Sequence, residues 1–522
     1  MKRILTLVLA LAMLLTACSF AALAEDERMV VTFYIGLSSK ETATMSSLDE
    51  SPTWQLIEDK LNVDIEWIHP TNDTEQFNLM VAQQEMYDIV WKEWTGVAGG
   101  PAQYIDNGLI MDLTDVIEEA TPNYYNFMYA PENADILKQV TLNDGRMYLF
   151  ARVFPDSRCM SYTGYIVRQD WLDELGIDRP TNIAEWEETL IAIKEGDLNG
   201  NGEADEIPFV PEGLAHIRPL AAAWGIRSGL YPSLEDGSIT FGQIQPEYKE
   251  FLMKMNEWYQ MGLIDPEFAS NNGSARQQKM TTDLGGVFYG YISGGIGTIL
   301  DLMKDVNPEY NLTAIPYAAT EDGIAYTDND PVVRKFIGQG CAISAKMSDE
   351  KKAKVFELFD YFYSDEGYEL LNWGIEGITY TKDENGENHF TDYVFNNPDG
   401  LASVQAVCRY AWPNSNAPAV CDYEARKYIN NMKPQQNEAA DIWALADTSL
   451  CLPILLPTSE DSSRMSTLLN EINTYMSEME TKFIMGRESF DEYDNFVNTL
   501  YEMNVEELIE IEQRTYDAYI QK

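Results

Sequence analysis

The chain has 522 residues, with 36 basic and 85 acidic side chains, a formal charge of −49, 45% hydrophobic content and 12% aromatic content. The length exceeds that of one ordinary core and favours two or more domains, and the apolar content is that of a protein that buries extensive surface. An acidic balance without any basic cluster argues against a nucleic-acid partner and mildly against a polyanion, while keeping an exported protein soluble.

Residues 1–24 read as an export signal: Lys2 and Arg3 precede an unbroken apolar run over 4–15, too short to span a bilayer. Two processing sites compete. Leu15-Thr16-Ala17-Cys18 resembles a lipobox that would leave Cys18 acylated, and Ala22-Leu23-Ala24 before Glu25 fits ordinary signal peptidase. The protein is therefore expected at the extracellular face of the membrane if lipidated, and secreted otherwise. The other cysteines (Cys159, Cys341, Cys408, Cys421, Cys451) lack metal spacing, so a Cys408–Cys421 bridge and free buried thiols both stay open.

From Met29 the chain alternates strand and helix: 30–37 is β-rich, 54–61 has helical spacing, 63–68 alternates, 75–84 reads as helix and 89–91 as a short strand. This rhythm predicts a mainly parallel sheet covered by helices, with ligands bound beyond the carboxyl ends of its strands. Trp91 and Trp94, just after the third strand, become candidate contacts, with packing beneath a helix as the alternative. Asn143-Asp144-Gly145 predicts a hairpin turn. A second section begins near Ala151 and is rich in Arg152, Arg158, Tyr162 and Tyr165. Asn182 and Glu185 predict a capping box for a helix whose core face is Ile183, Trp186, Leu190 and Ile193.

That helix runs into Asp197-Leu-Asn199-Gly-Asn201-Gly202-Glu203-Ala-Asp205-Glu206-Ile-Pro208. Oxygen-bearing side chains at positions 1, 3, 5 and 9, with glycine at position 6, allow a curling loop to point Asp197, Asn199, Asn201 and Asp205 inward. The Glu203 carbonyl supplies the seventh position, and the cage suits calcium. Position 12 is Pro208 where an EF-hand has a bidentate glutamate, so a second carboxylate must come from Glu206, and extended chain follows instead of a helix. An ion held this way braces a fold. Further on, 285–291 predicts a buried strand entering a glycine-rich loop, where glycines beside Tyr289 and Tyr291 suit close approach of a ligand. Residues 342–345 predict a strand, 350–363 a helix, and 468–483, 493–503 and 505–519 an all-helical C-terminus.

Three histidines (His69, His216, His389) stand far apart in the sequence, and no zinc-protease, serine-hydrolase, P-loop or dinucleotide motif is present. With 85 acidic residues a chance carboxylate pair carries no information, so the residues favour a binder over an enzyme.

Tyr87-Asp-Ile-Val90, Asp106-Asn-Gly-Leu-Ile110, Arg168-Gln-Asp-Trp-Leu-Asp-Glu-Leu-Gly176 and the loop from Gly196 to Pro208 occur in order, followed by Gly262-Leu-Ile-Asp-Pro266, Asp360-Tyr-Phe-Tyr-Ser-Asp-Glu-Gly-Tyr368, Asn372-Trp-Gly-Ile-Glu-Gly377 and Lys482-Phe-Ile-Met-Gly486. On these stretches the chain resembles the extracellular solute-binding proteins of bacterial ABC importers, in the oligosaccharide class that includes alginate-binding proteins and Gram-positive lipoproteins. The resemblance implies a type II periplasmic-binding-protein-like α/β fold, two lobes around a cleft, with lobe 1 from 25–150 plus about 314–375 and lobe 2 from 151–313 plus about 376–522. It implies structural calcium on Asp197, Asn199, Asn201, Glu203, Asp205 and Glu206, away from the ligand. By position the cleft contacts are expected at Trp91, Trp94, Tyr289, Tyr291, Trp373, Glu376 and Trp412, with Arg152 or Arg158 as polar partners, and packing at the hinge is the alternative for Trp373-Gly-Ile-Glu376. The partners implied are an oligosaccharide and a membrane permease, reached by a monomer that closes on its ligand. A ligand-sensing partner of a membrane receptor and a secreted glycan-active enzyme are the alternatives.

Overall fold

The computed structural model describes residues 28–412, 419–430 and 433–522, so the export segment, with Cys18 and Ala24, lies outside the described residues. β1 (Met29–Tyr34) and β2 (Val63–Ile68) run parallel, Met29 opposite Val63 and Tyr34 opposite Ile68. β2 buries Val63, Ile65 and Trp67 and exposes Asp64 and Glu66, because successive strand side chains point to opposite faces. The intervening helix Pro52–Leu61 opens on a proline, which has no N–H to leave unpaired, and ends at Asn62 in the left-handed region. Its Trp54 stands edge-on to Phe33 at 6.4 Å and to Trp67 at 4.7 Å. Helix Asp73–Gln83, capped by the Asn72 side chain on the Glu75 amide, leads to β3 (Ile89–Glu93), parallel to β1. The Asn143-Asp144-Gly145 turn has Gly145 at φ +88°, but the chain entering it is helix Ala134–Val140, so only a Thr141–Met147 bridge closes it before β4 (Phe150–Val153).

The chain then crosses to a second sheet. It contains β5 (Thr163–Arg168), buried along its whole length, and β6 (Ile207–Phe209). A hairpin of β7 (Leu230–Pro232) and β8 (Ile239–Phe241) follows, then β9 (Gly285–Tyr291) and β10 (Leu312–Ala314). The strand order is β10-β5-β9-β6, with β6 parallel and β5 antiparallel to β9. Next the chain recrosses, and β11 (Phe336–Ile343) inserts between β3 and β4, antiparallel to both, to give the order β2-β1-β3-β11-β4.

Each sheet has its own apolar core. The first draws on Val31 to Val153 and on Phe336 to Leu371, with Trp412, Ala419, Ile454 and Leu456 added. The second draws on Tyr165 to Ala318 and on Leu450 to Ile511, under the helices Ser459–Ile484, Tyr493–Glu502 and Val505–Gln521. Residues between them form a small unit around the hairpin β12 (Tyr380–Lys382) and β13 (Asn388–Phe390), with Trp373, Val394, Val407 and Ile429 inside it. The C-terminal helices are anchored through the fully buried Glu480, which accepts from Arg218 Nε (2.8 Å), Gln243 Nε2 (2.8 Å) and Tyr248 Oη (3.0 Å), so its charge is paired and its lone pairs are filled. Among the described residues no helix is long and apolar enough to cross a membrane.

Candidate functional site

The helix Ile183–Glu195 buries Trp186, Leu190 and Ile193 and starts as expected on Asn182, whose Oδ1 accepts from the Glu185 amide at 3.0 Å. The Glu185 carboxylate reaches one residue further back than a capping box, to the Thr181 amide (2.8 Å) and hydroxyl (2.7 Å). Beyond Gly196 the chain curls through Gly200 (φ +69°) and Gly202 (φ +89°), conformations that a Cβ would penalise, and enters β6. The Asp197 carboxylate accepts from Gly202 N at 3.0 Å, and Asn201 Oδ1 accepts from Glu203 N at 2.7 Å. Asn199 and Asn201 both bring their amides to Asp205 Oδ1, at 3.0 Å each. Glu206 is 6% exposed, and its Oε1 accepts from Leu198 N (2.6 Å) and Asn199 N (3.1 Å). Its Oε2 is enclosed without a hydrogen-bond partner.

An ionised oxygen enclosed in this way is unfavourable unless a cation meets it. An asparagine amide can turn either its nitrogen or its oxygen inward, so the side chains already gathered on Asp205 form an oxygen set that fits calcium. A second acidic group, Asp383, Glu387 and His389, also lies within ligand-sharing distance, but it is an exposed β12–β13 turn in which Asp383 Oδ1 accepts the amides of Asn385 (2.8 Å) and Glu387 (2.9 Å).

The opposite strand ends of the second sheet are different. The oxygen loop enters β6 at its amino end, whereas the parallel strand β9 delivers Tyr291 at its carboxyl end. Tyr291 is 56% exposed, and its ring stacks on Tyr162 with centroids 6.0 Å apart and planes at 11°. Tyr289, further inside, donates to Thr163 Oγ1 at 3.3 Å and stands edge-on to Tyr165 at 5.0 Å. Nearby His216 accepts from the Glu212 amide through Nδ1 at 3.1 Å, and burial, aided by Arg276, holds its imidazole down at about 4 and therefore neutral.

A cavity of about 160 Å³ lies in front of the tyrosine pair, lined by Lys40, Arg158, Tyr162, Tyr291, Tyr423 and Arg426, with Cys159 and Lys427 among the further contacts. Lys40 follows β1 of the first sheet, so both sheets contribute. Arg158 forks onto Asp156 through Nε (3.0 Å) and Nη2 (2.6 Å), and its guanidinium lies 4.0 Å from the Tyr423 ring centroid. A second opening of about 370 Å³ sits at the carboxyl ends of β1 and β3, where Gly36, Asp73, Trp91, Lys92 and Glu93 meet.

Of the expected contacts, Arg158 and Tyr291 line the first cavity, Trp91 borders the second, and Tyr289 lies beneath Tyr291 in the strand. Three tryptophans need correction. Trp94 is fully buried, 5.8 Å from both Phe77 and Tyr104, with Nε1 donating to Gly340 O at 3.2 Å. Trp412 is 3% exposed and packs on Trp54 at 5.3 Å. Trp373 stacks on Phe390 at 4.7 Å and donates to Asp422 Oδ2 at 2.8 Å. Burying an indole removes more apolar surface from water than any other side chain, and the core claims it unless the strand end faces out. Arg152 is also buried, under the cavity and over Phe154 at 5.1 Å, and burial lowers its guanidinium to about 10. Glu376 stands exposed in the turn before β12.

The glycine-rich run after β9 is a π-helical turn, Ile292–Gly297, not an open loop. A Cβ on Gly295 would meet Ile166 and Phe288 at 3.2 Å, and one on Gly297 would meet Gln436 at 2.6 Å, so these glycines serve internal packing. All five described cysteines are buried and unbridged, and Cys421 lies against Cys159, not Cys408. That contact, with Arg426 and Arg152 nearby, holds the Cys421 thiol below its ordinary range. Lys40, Tyr423 and Arg426 escaped the sequence reading, and Tyr162 was noted there but not as a contact, because no local motif joins them.

FusA of Streptococcus pneumoniae, a fructooligosaccharide ABC transporter substrate-binding protein, is 22% identical over 491 residues, covering 89% of this chain and 86% of that protein. The structure also matches alginate-binding protein AlgQ2 without calcium ion, with a TM-score of 0.69, 21% identity and coverage of 94% of this chain and 98% of that one. An HMO-binding, ABC-transporter-associated protein from Bifidobacterium longum infantis matches with a TM-score of 0.73 at 20% identity, covering 94% and 99%. These structural likenesses establish the two-lobed, type II periplasmic-binding-protein-like α/β fold. The profile of the bacterial extracellular solute-binding proteins matches residues 47–369, and the chain belongs to that family.

Proposed function

We propose that this protein is the substrate-binding component of an ABC transporter and that it captures an oligosaccharide between two lobes for delivery to a membrane permease. The observation that carries this reading is the cavity lined from both sheets, with a stacked, solvent-facing tyrosine pair on one wall. Aromatic faces pack on the apolar faces of sugar rings, and a ligand that touches both walls stabilises the closed arrangement. The relatedness to FusA, a fructooligosaccharide transport protein, supports the ligand class. No catalytic step is assigned.

We assign the lobes by the two cores: 28–153 with 336–371, and 163–318 with most of 439–522, leaving most of 373–429 as the small unit, while Trp412, Ala419, Ile454 and Leu456 pack on the first core. This differs from the sequence-based boundaries, which gave 376–522 wholly to lobe 2. Calcium is assigned to Asp197, Asn199, Asn201, Asp205, Glu206 and the Glu203 carbonyl, at the strand ends opposite the cavity; its chemistry there is charge neutralisation and bracing. Lipidation at Cys18 would hold the protein at the extracellular face of the membrane, and cleavage after Ala24 would release it.

A thermal-shift screen of the mature protein against mono- and oligosaccharides, with and without EDTA, tests the reading. A ligand that binds only the folded state raises Tm by mass action. The expected outcome is a rise with particular oligosaccharides and no product formed. Consumption of the glycan, or no response to any sugar, overturns it.

A further inference from the structure

We propose that the cavity in front of Tyr291 recognises an acidic sugar unit, its carboxylate held by the arginine and lysine side chains and its ring lying on the tyrosine pair. This rests on the oligosaccharide-capture reading and names the substrate class.

Acidic residues outnumber basic ones 85 to 36 in this chain, yet among the described residues the cavity lining holds four cations (Lys40, Arg158, Arg426 and Lys427) and no carboxylate. The nearby carboxylates stand outside the lining and are engaged there, apart from the enclosed Glu41 Oε1. Asp156 holds Arg158, Glu424 lies 3.6 Å from Lys427, Glu41 accepts from the Ser38 amide at 2.7 Å, and Asp422 accepts from Trp373. The fold therefore turns cations toward the cavity and acids away from it, against the composition of the chain.

The cations are also close to one another. The Arg152 and Arg426 guanidinium groups lie over one ring, Phe154, at 5.1 and 5.5 Å from its centroid. Lys40 is held below the usual ammonium range, by burial first and then by Arg426 and Arg152. Like charges brought together in a partly dry site gain when an anion enters. Guanidinium and ammonium donors suit the oxygens of a carboxylate, Arg158 keeping its Nε and Nη2 on Asp156, and an aromatic wall supplies the apolar surface that a free inorganic anion would leave unused. The opening near Trp91 carries both signs, Lys92 beside Asp73 and Glu93, so the selection for charge is local to the Tyr291 cavity.

The test uses calorimetric titration of the mature protein with trigalacturonate, its methyl ester (the same sugar with the charge removed), a neutral fructotrisaccharide and a sulfated trisaccharide. Trigalacturonate is expected to bind at least about 10-fold more tightly than its methyl ester, as loss of a charge-assisted carboxylate pair predicts. Arg158→Gln and Lys427→Gln, both at solvent-facing positions and checked for folding by Tm, are each expected to lower the acid-to-ester affinity ratio by about 5-fold or more. Equal binding of acid and ester, preference for the sulfated sugar, or an unchanged ratio in both variants overturns the proposal. Binding of the neutral trisaccharide alone removes only the acidic-unit assignment, whereas no binding of any sugar removes the capture reading with it.

Discussion

The oxygen loop and the tyrosine–arginine cavity sit at opposite strand ends of one sheet and were built in opposite ways. Every candidate ligand of the loop lies between Asp197 and Glu206, so the spacing of ten consecutive residues contains the site. The cavity takes Lys40 from the first lobe, Arg158 and Tyr162 from the crossing segment, Tyr291 from β9, and Tyr423 and Arg426 from the helix Tyr423–Asn430. The loop is a property of local chain geometry, and the cavity is a property of how distant segments meet. The first should therefore answer to stability measurements and the second to affinity measurements.

Four experiments press on that contrast. The largest effect is expected for Trp94→Ala, which empties a core site next to the second opening. The loss of stability should be about 3–5 kcal/mol, read by denaturant unfolding, with sugar affinity kept at temperatures where the variant is folded. A large affinity loss with little destabilisation would return Trp94 to the ligand. Next is Glu206→Gln, which weakens the acceptor of two backbone amides and removes the enclosed charge. A loss of about 2 kcal/mol and of the Tm response to EDTA is expected, with sugar Kd unchanged, and an altered Kd at constant Tm would dissolve the distinction between the regions.

Tyr291→Ala should do the reverse, weakening oligosaccharide binding by about 10-fold, equivalent to ~1.4 kcal/mol, while Tm of the free protein stays put, because the ring is mostly exposed. A drop in Tm without loss of affinity would make it a packing residue. The smallest effect concerns neither region and serves as a baseline. Burial, with Asp330 adding to it and Arg334 opposing it, holds the Glu512 carboxyl up at about 7. A carboxyl raised above its unfolded value, about 4.3, binds its proton better when folded, so its contribution is complete below about pH 4 and is lost as pH rises to 7. Glu512→Gln should therefore raise Tm by a few degrees at pH 8 and leave it unchanged at pH 4. Parallel melting curves at both pH values would show that Glu512 is already solvated.

Much of the fold was legible in the sequence because period and punctuation are local. The alternation of 63–68, the Asn182 cap and its Trp186-Leu190-Ile193 face, and the extended chain after the oxygen loop all appear in the structure. The errors share a cause. Trp94 and Trp412 were assigned by their place along the chain, but which way an indole faces depends on Phe77, Tyr104 and Trp54, residues contributed by other segments. The glycines beside Tyr289 and Tyr291 were read as suiting close approach of a ligand, whereas Gly290, Gly295 and Gly297 make room for Ile166, Phe288 and Gln436.

The sequence alone determined the two-lobed α/β class, the family resemblance and the residues of the oxygen loop, because each is carried by short-range spacing or by ordered motifs. Only the tertiary structure decided which tryptophans are core, that Cys421 meets Cys159, and that Lys40, Arg158, Tyr291 and Arg426 share one cavity. Those outcomes depend on contacts between segments tens to hundreds of residues apart, and side chains that meet only after the sheets have assembled leave no pattern in any window of the chain.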